Sequence, residues 1–202
     1  MPEGPEVWIL SKALNKYYNN KNTYSAGKHL FVTDINENWS FGLTGKVLID
    51  PTDTLCKINS GWIYGDKLQI TLTKLGLDWM TANKDELEKE VDKWIKSKKK
   101  LAGLLLDQDK ICGIGVAWGS EILFKAELRP DVRACDQVLD KLVDTMVEIR
   151  NNIKNIYETE LQNHNNLKEF VNEWFENLYD LREMSIYKKG SKLQVLGRSW
   201  WV

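Results

Sequence analysis

The stretch KKKLAGLLLDQDKICGIGVAWGSEILFKAELRPD, residues 98–131, decides how the rest of the chain is read. A basic run, Lys98, Lys99 and Lys100, leads into helical apolar spacing at Leu101, Leu104 and Leu105. A glycine-bearing turn follows at Cys112-Gly113-Ile114-Gly115. A second helical segment with Ile122, Leu123 and Ala126 then ends before Pro130. Glycines at the start of a helix expose backbone N–H groups, and such groups, with the helix dipole, bind phosphate. Gly113, Gly115 and Lys110 are therefore candidate phosphate contacts. The same spacing also describes an ordinary helical hairpin with a solvated lysine face, so at this level both readings stand.

Working outward, VWILSKALNKYY (7–18) carries apolar residues at helical spacing and predicts a short helix. Residues 24–80 read as strands. Leu68, Ile70 and Leu72 alternate with polar residues, the period of a half-buried strand. Beyond Trp79-Met80 the texture changes. Leu87, Val91, Trp94 and Ile95 recur at helical spacing, and residues 101–180 read as helical throughout. One stripe runs Leu139, Leu142, Val143, Met146, Ile149, Ile153, Ile156, and another Leu167, Phe170, Val171, Trp174, Phe175, Leu178. Both stripes read as core faces. The tail REMSIYKKGSKLQVLGRSWWV returns to glycine breaks and strand-like residues, with Arg182, Lys188, Lys189, Lys192 and Arg198 against a single acid, Glu183. The pattern predicts an α+β protein with a boundary near 82, giving domains 1–82 and 83–202.

Composition narrows the class. A formal net charge of −1 over 202 residues names no partner by itself, so a nucleic-acid face must be a local basic patch. Three Cys, at 56, 112 and 135, are odd in number and far apart, and the two His, 29 and 164, are isolated. This predicts no disulfide framework, no metal site and an intracellular, reducing location. No apolar run approaches the ~20 residues of a membrane helix, and the polar, acidic N-terminus does not resemble a secretory signal.

The opening MPEGPEV has its own chemistry. A small second residue permits removal of Met1, which leaves Pro2 with a free secondary amine. An α-amino group has a pKa of about 7.7–8.0 against about 10.4 for lysine, so roughly a tenth or more is uncharged and nucleophilic at neutral pH. Such an amine can form an iminium ion with a carbon electrophile. Glu3, beside it, can move protons at the reacting centre. Pro and Glu at a helix start are equally good capping chemistry.

Together these stretches resemble the formamidopyrimidine-DNA glycosylase / endonuclease VIII family. Residues 98–131 resemble its helix–two-turns–helix motif, and MPEGPEV its N-terminus in the endonuclease VIII version. AGKHLF (26–31) is similar to the segment with the family's β-hairpin lysine, which implies that role for Lys28. FGLTG (41–45) resembles the loop that fills the gap left by an extruded base, pointing to Leu43. TKLG (73–76) resembles an Arg-Arg-Phe-Gly segment, which points to Lys74 as a DNA contact. GRSWWV resembles the finger hairpin, with Arg198 at its phosphate-binding arginine. The Asn- and Lys-rich composition suits an AT-rich genome such as that of a giant DNA virus.

The resemblance implies a short N-terminal helix plus β-sandwich domain, then a helical helix–two-turns–helix domain with a C-terminal hairpin finger over about 183–202. No Cys lies beyond 135, so the finger is expected to lack zinc and to be held by packing alone. The implied activity is a bifunctional DNA glycosylase and abasic-site lyase for base excision repair, acting mainly on oxidised pyrimidines. Pro2 would be the nucleophile, Glu3 the acid/base, with Glu6 and Lys28 in support, and no cofactor is needed. The implied partner is damaged DNA, duplex and single-stranded, bound by a monomer. Val116 stands where the motif has Asn, Ser40 where a His is usual, and Thr73-Lys74-Leu75 replaces Arg-Arg-Phe. These departures keep a second reading open, a DNA-binding relative that has lost base excision.

Overall fold

The computed structural model describes residues 3–17, 22–34, 37–42, 47–49, 56–58, 62–64, 75–170 and 184–202. The chain forms two compact units, one of Met1–Lys74 with Ile153–Arg182, the other of Leu75–Asn152 with Glu183–Val202. The expected boundary at 82 is therefore not where the contacts divide. They divide at 74, and residues 153–182 return to the N-terminal unit.

In the first unit, helix α1 (Gly4–Tyr17) begins three residues before the expected 7. Pro5 lies in its first turn, where a missing N–H costs nothing. Glu6 sits at the positive end of the dipole and Lys16 at the negative end. Val7, Ile9, Leu10 and Ala13 are fully buried. Strands β1 (Asn22–Ala26), β2 (His29–Asp34), β3 (Glu37–Gly42) and β6 (Trp62–Tyr64) form an antiparallel sheet in the order β1-β2-β3-β6. Strands β4 (Val47–Ile49) and β5 (Cys56–Ile58) pair separately. The expected strand at Leu68–Leu72 lies outside the described residues. What returns 153–182 to this unit is visible at α1. Lys16 Nζ donates to the Leu161 carbonyl at 2.7 Å, and the Tyr17 hydroxyl lies 2.8 Å from the His164 carbonyl.

In the second unit, β7 (Leu77–Asp78) runs parallel to β8 (Ile111–Cys112). Helix α2 (Lys84–Asp92) starts with a capping box. Glu86 N–H donates to Asn83 Oδ1 at 2.9 Å, and Asn83 N–H to Glu86 Oε2 at 2.8 Å. A 3-10 turn (Lys93–Lys96) leads on to α3 (Leu101–Leu105), α4 (Val116–Lys125) and the long α5 (Asp140–Asn163). Reading 101–180 as helical throughout was too simple. Residues 106–115 and 126–139 are turns, β8 and a 3-10 turn. The chain after Pro130 folds back so that the Val132 and Pro130 carbonyls accept the Leu101 and Ala102 amides at the start of α3. The stripe on α5 is buried through Ile153, but Ile156 is 58% exposed and Tyr157 and Leu161 replace it. Over 24 residues the 3.6-residue turn carries the buried face past Ile156. Arg150, also buried, donates through Nη1 to the carbonyls of Trp79 (2.9 Å) and Ala82 and holds that turn.

The tail is a β-hairpin, β9 (Lys192–Val195) and β10 (Arg198–Trp201), turning at Leu196-Gly197 with both residues at positive φ, 54° and 71°. Packing alone does not hold it, contrary to expectation. Fully buried Trp200 lies against Gly119 of α4, so close that a Cβ there would sit 3.0 Å from its ring. Next to Gly119, the Ser120 hydroxyl accepts the Trp201 N–H at 3.1 Å. The Glu121 carboxylate accepts three consecutive amides, Ser185, Ile186 and Tyr187, at 2.8, 2.8 and 2.7 Å.

Candidate active site and nucleic-acid interface

At the start of α1, Glu3 is 6% and Glu6 1% exposed, an unusual burial for two carboxylates. Glu6 reaches back to the helix start, where its Oε2 accepts the Glu3 N–H at 2.6 Å. Its Oε1 lies 3.4 Å from the Tyr157 hydroxyl of α5. Glu6 therefore fixes the backbone on which Glu3 is carried, and a carboxylate in a helix first turn is favoured by the dipole. Pro2, the expected nucleophile, lies outside the described residues.

Lys28 occupies the turn of the β1–β2 hairpin, between the paired Ala26 and His29. Gly27 before it takes φ 58°, which a two-residue hairpin asks of its first turn residue and glycine meets without strain. Burial, and then the neighbouring Lys28, push the His29 imidazole below its ordinary pKa. Leu43 and Lys74 lie outside the described residues. Ser40 is placed in β3, opposite Phe31 and Ile63.

The turn between α3 and α4 is organised by a residue whose role the sequence did not reveal. The Gln108 amide nitrogen donates to the carbonyls of Leu106 (3.2 Å) and Ile114 (3.1 Å), while its oxygen accepts the Gly113 N–H at 3.0 Å. One side chain thus spans the turn from both sides. The Gly113 N–H points to Gln108. What Gly113 supplies is its φ of 95°, which other residues reach only with strain. Gly115, buried, is the N-cap of α4. Val116 is the first residue of the helix and offers no hydrogen bond of its own.

Lys110 turns toward α2, where its Nζ lies 3.9 Å from Glu90. Glu90, 9% exposed, also holds Lys93 at 2.7 Å and the Trp94 indole N–H at 3.3 Å. Lys110 is therefore partly neutralised within the protein. Lys99, 3.7 Å from Asp107, stays largely exposed. Arg198 is exposed at the start of β10, beside the hairpin turn. Among the described residues no cluster of His, Cys, Asp and Glu could hold a metal ion, and no helix is long and apolar enough to cross a membrane.

No protein-family model matches the chain, and neither does any curated protein. Solved structures do. The chain is similar to Lactococcus lactis formamidopyrimidine-DNA glycosylase bound non-covalently to DNA containing an abasic site. The TM-score is 0.67 and the identity 18%, covering 98% of this chain and 96% of that one. It is similar to the wild-type L. lactis enzyme in complex with DNA containing an oxidised pyrimidine, with TM-score 0.66, 17% identity, and 99% and 97% covered. A third neighbour is the same bacterial protein with a THF-DNA and an inhibitor, at TM-score 0.66 and 18% identity, with 99% and 97% covered. Over nearly its whole length, the chain has the fold of the formamidopyrimidine-DNA glycosylases.

Proposed function

We propose that the chain is a bifunctional DNA glycosylase and abasic-site lyase, excising oxidised bases, mainly pyrimidines, in base excision repair. The observation that carries this reading is the near-complete fold likeness to an enzyme solved on abasic-site and oxidised-pyrimidine DNA. The buried Glu3–Glu6 pair at the head of α1 supports it, because a pure binder has no use for two desolvated carboxylates beside its N-terminus.

In this reading Met1 is removed and the Pro2 nitrogen attacks C1′ of the damaged nucleotide. The N-glycosidic bond breaks and the base leaves with its electron pair and a proton. Glu3 protonates O4′ as the sugar ring opens to an iminium. That cation acidifies C2′, so loss of a C2′ proton expels the 3′ phosphate, and a second elimination expels the 5′ phosphate. Glu6 holds the backbone of Glu3, and Lys28 holds a phosphate. The damaged base leaves the duplex at a cost of a few kcal/mol, lowered by the damage, and Leu43 fills the vacated stack as an apolar wedge. Lys74, the Gly115 turn and Arg198, carried on a finger hairpin without zinc, grip phosphates.

Borohydride trapping tests the proposal. Incubation with an abasic-site oligonucleotide and borohydride should give a covalent adduct mapped to Pro2. Replacing Pro2 by Gly, or retaining Met1, should abolish it. Tight DNA binding with no adduct would identify the chain as a relative that binds DNA without excising bases.

A further inference from the structure

The outer face of the C-terminal hairpin carries a feature that core packing does not require. Along β10 the side chains alternate, so Trp200 is buried while Trp201 on the other face stays partly exposed. Trp201 meets Tyr187 edge to face, with centroids 5.7 Å apart at 74°. Lys192, its cross-strand partner, places Nζ 5.0 Å from the Trp201 ring centre, and Lys188 Nζ lies 5.8 Å from that of Tyr187. Beside them on the same face Gln194 donates to the Ser199 hydroxyl at 2.6 Å. Residues 184–202 hold four basic side chains, Lys188, Lys189, Lys192 and Arg198, and no acidic one.

The backbones of both residues are held by adjacent residues of α4. Ser120 accepts the Trp201 amide and Glu121 the Tyr187 amide. The backbone that carries the aromatic pair is thus anchored to α4. Trp200 already fills the core contact against Gly119, so Trp201 and Tyr187 are free of that task. Lys192 and Lys188 sit over these rings as cation–π partners, and when their ammonium groups turn to phosphates the uncovered rings suit a stacked base. A duplex offers no such face, because its bases are stacked on each other.

We propose that Trp201 and Tyr187, with Lys188 and Lys192, form a stacking platform for an unpaired base of single-stranded DNA. This deepens the proposed function, rests on DNA being the partner, and names open or single-stranded DNA as the substrate class. The test uses the full chain and an undamaged oligothymidylate, read by fluorescence anisotropy, beside borohydride trapping on a blunt abasic-site duplex. Trp201→Leu, which keeps an apolar side chain without a ring to stack on, should weaken oligothymidylate binding about 5- to 100-fold. Trp201→Phe should bind near the wild-type level, and trapping on the blunt duplex should be unchanged in both. Unaltered oligothymidylate affinity in Trp201→Leu, or equal loss on single strand and duplex, would overturn the platform. A wild-type chain that binds oligothymidylate through Trp201 yet traps no abasic site would leave the platform standing and sink the glycosylase reading.

Discussion

Truncating Glu121 is the sharpest probe of how the C-terminal hairpin is held. Its Oε1 accepts Ile186 and Tyr187 and its Oε2 accepts Ser185, all at 2.7–2.8 Å. A hydrogen bond to a charged group contributes about 1.5–3 kcal/mol net. Three such bonds do not simply add, because water can reach the exposed Ser185 and half-buried Tyr187 amides once the carboxylate is gone. The buried Ile186 amide would stay without a partner. Glu121→Ala should therefore loosen the hairpin by about 3–5 kcal/mol. Glu121→Gln can keep both bonds of one oxygen but sets its NH2 against the Ser185 N–H, and should cost about 1.5–3 kcal/mol. The assay is hydrogen exchange at 192–195 and 198–201, where ~3 kcal/mol corresponds to a protection loss on the order of a hundredfold. Emission of the newly exposed Trp200 should shift red in parallel. A fall in protection below about tenfold for Glu121→Ala would mean that packing alone holds the hairpin and would refute this account.

Other outcomes follow from particular contacts. A methyl at Gly76 would collide with the Lys110 carbonyl and come within 2.6 Å of the Asp109 carbonyl, both backbone atoms. Gly76→Ala should cost about 3 kcal/mol and lower the melting temperature by roughly 6–12 °C, read by calorimetry. Leu196 holds φ 54° while 61% exposed, so Leu196→Asn should relieve strain and raise stability by about 0.5–1 kcal/mol in urea denaturation. His29 has a folded-state pKa below its unfolded value. Its contribution to stability is complete above pH ~6.5 and is lost as pH falls toward the folded pKa. Wild-type protein should accordingly lose more stability between pH 7.5 and 5.5 than His29→Gln, measured by urea titration.

The helix–turn–helix of residues 101–125 was readable because Leu spacing, paired glycines and Pro130 all act locally. The tail was readable locally as strand-like with glycine breaks, and its hairpin only through the resemblance of GRSWWV to the finger. Buried polar residues that serve distant backbone were not. Nothing in the letters distinguishes Glu121 or Arg150 from ordinary surface residues, since their partners are amides and carbonyls up to 71 positions away. The pairing of Lys110 with Glu90 was not legible either, because it depends on how α2 packs. Glu3 and Glu6 were legible as acidic residues at a helix start. That Tyr157 reaches Glu6 was not, being a contact across 151 positions.

Because residues 153–182 complete the N-terminal unit, that unit is discontinuous in the chain. Synthesis must pass Tyr157 and Leu161 before the first can reach Glu6 and the second, through its carbonyl, Lys16, across 151 and 145 positions. A product that stops before that point has the sequence of α1 but lacks the contacts that complete its unit.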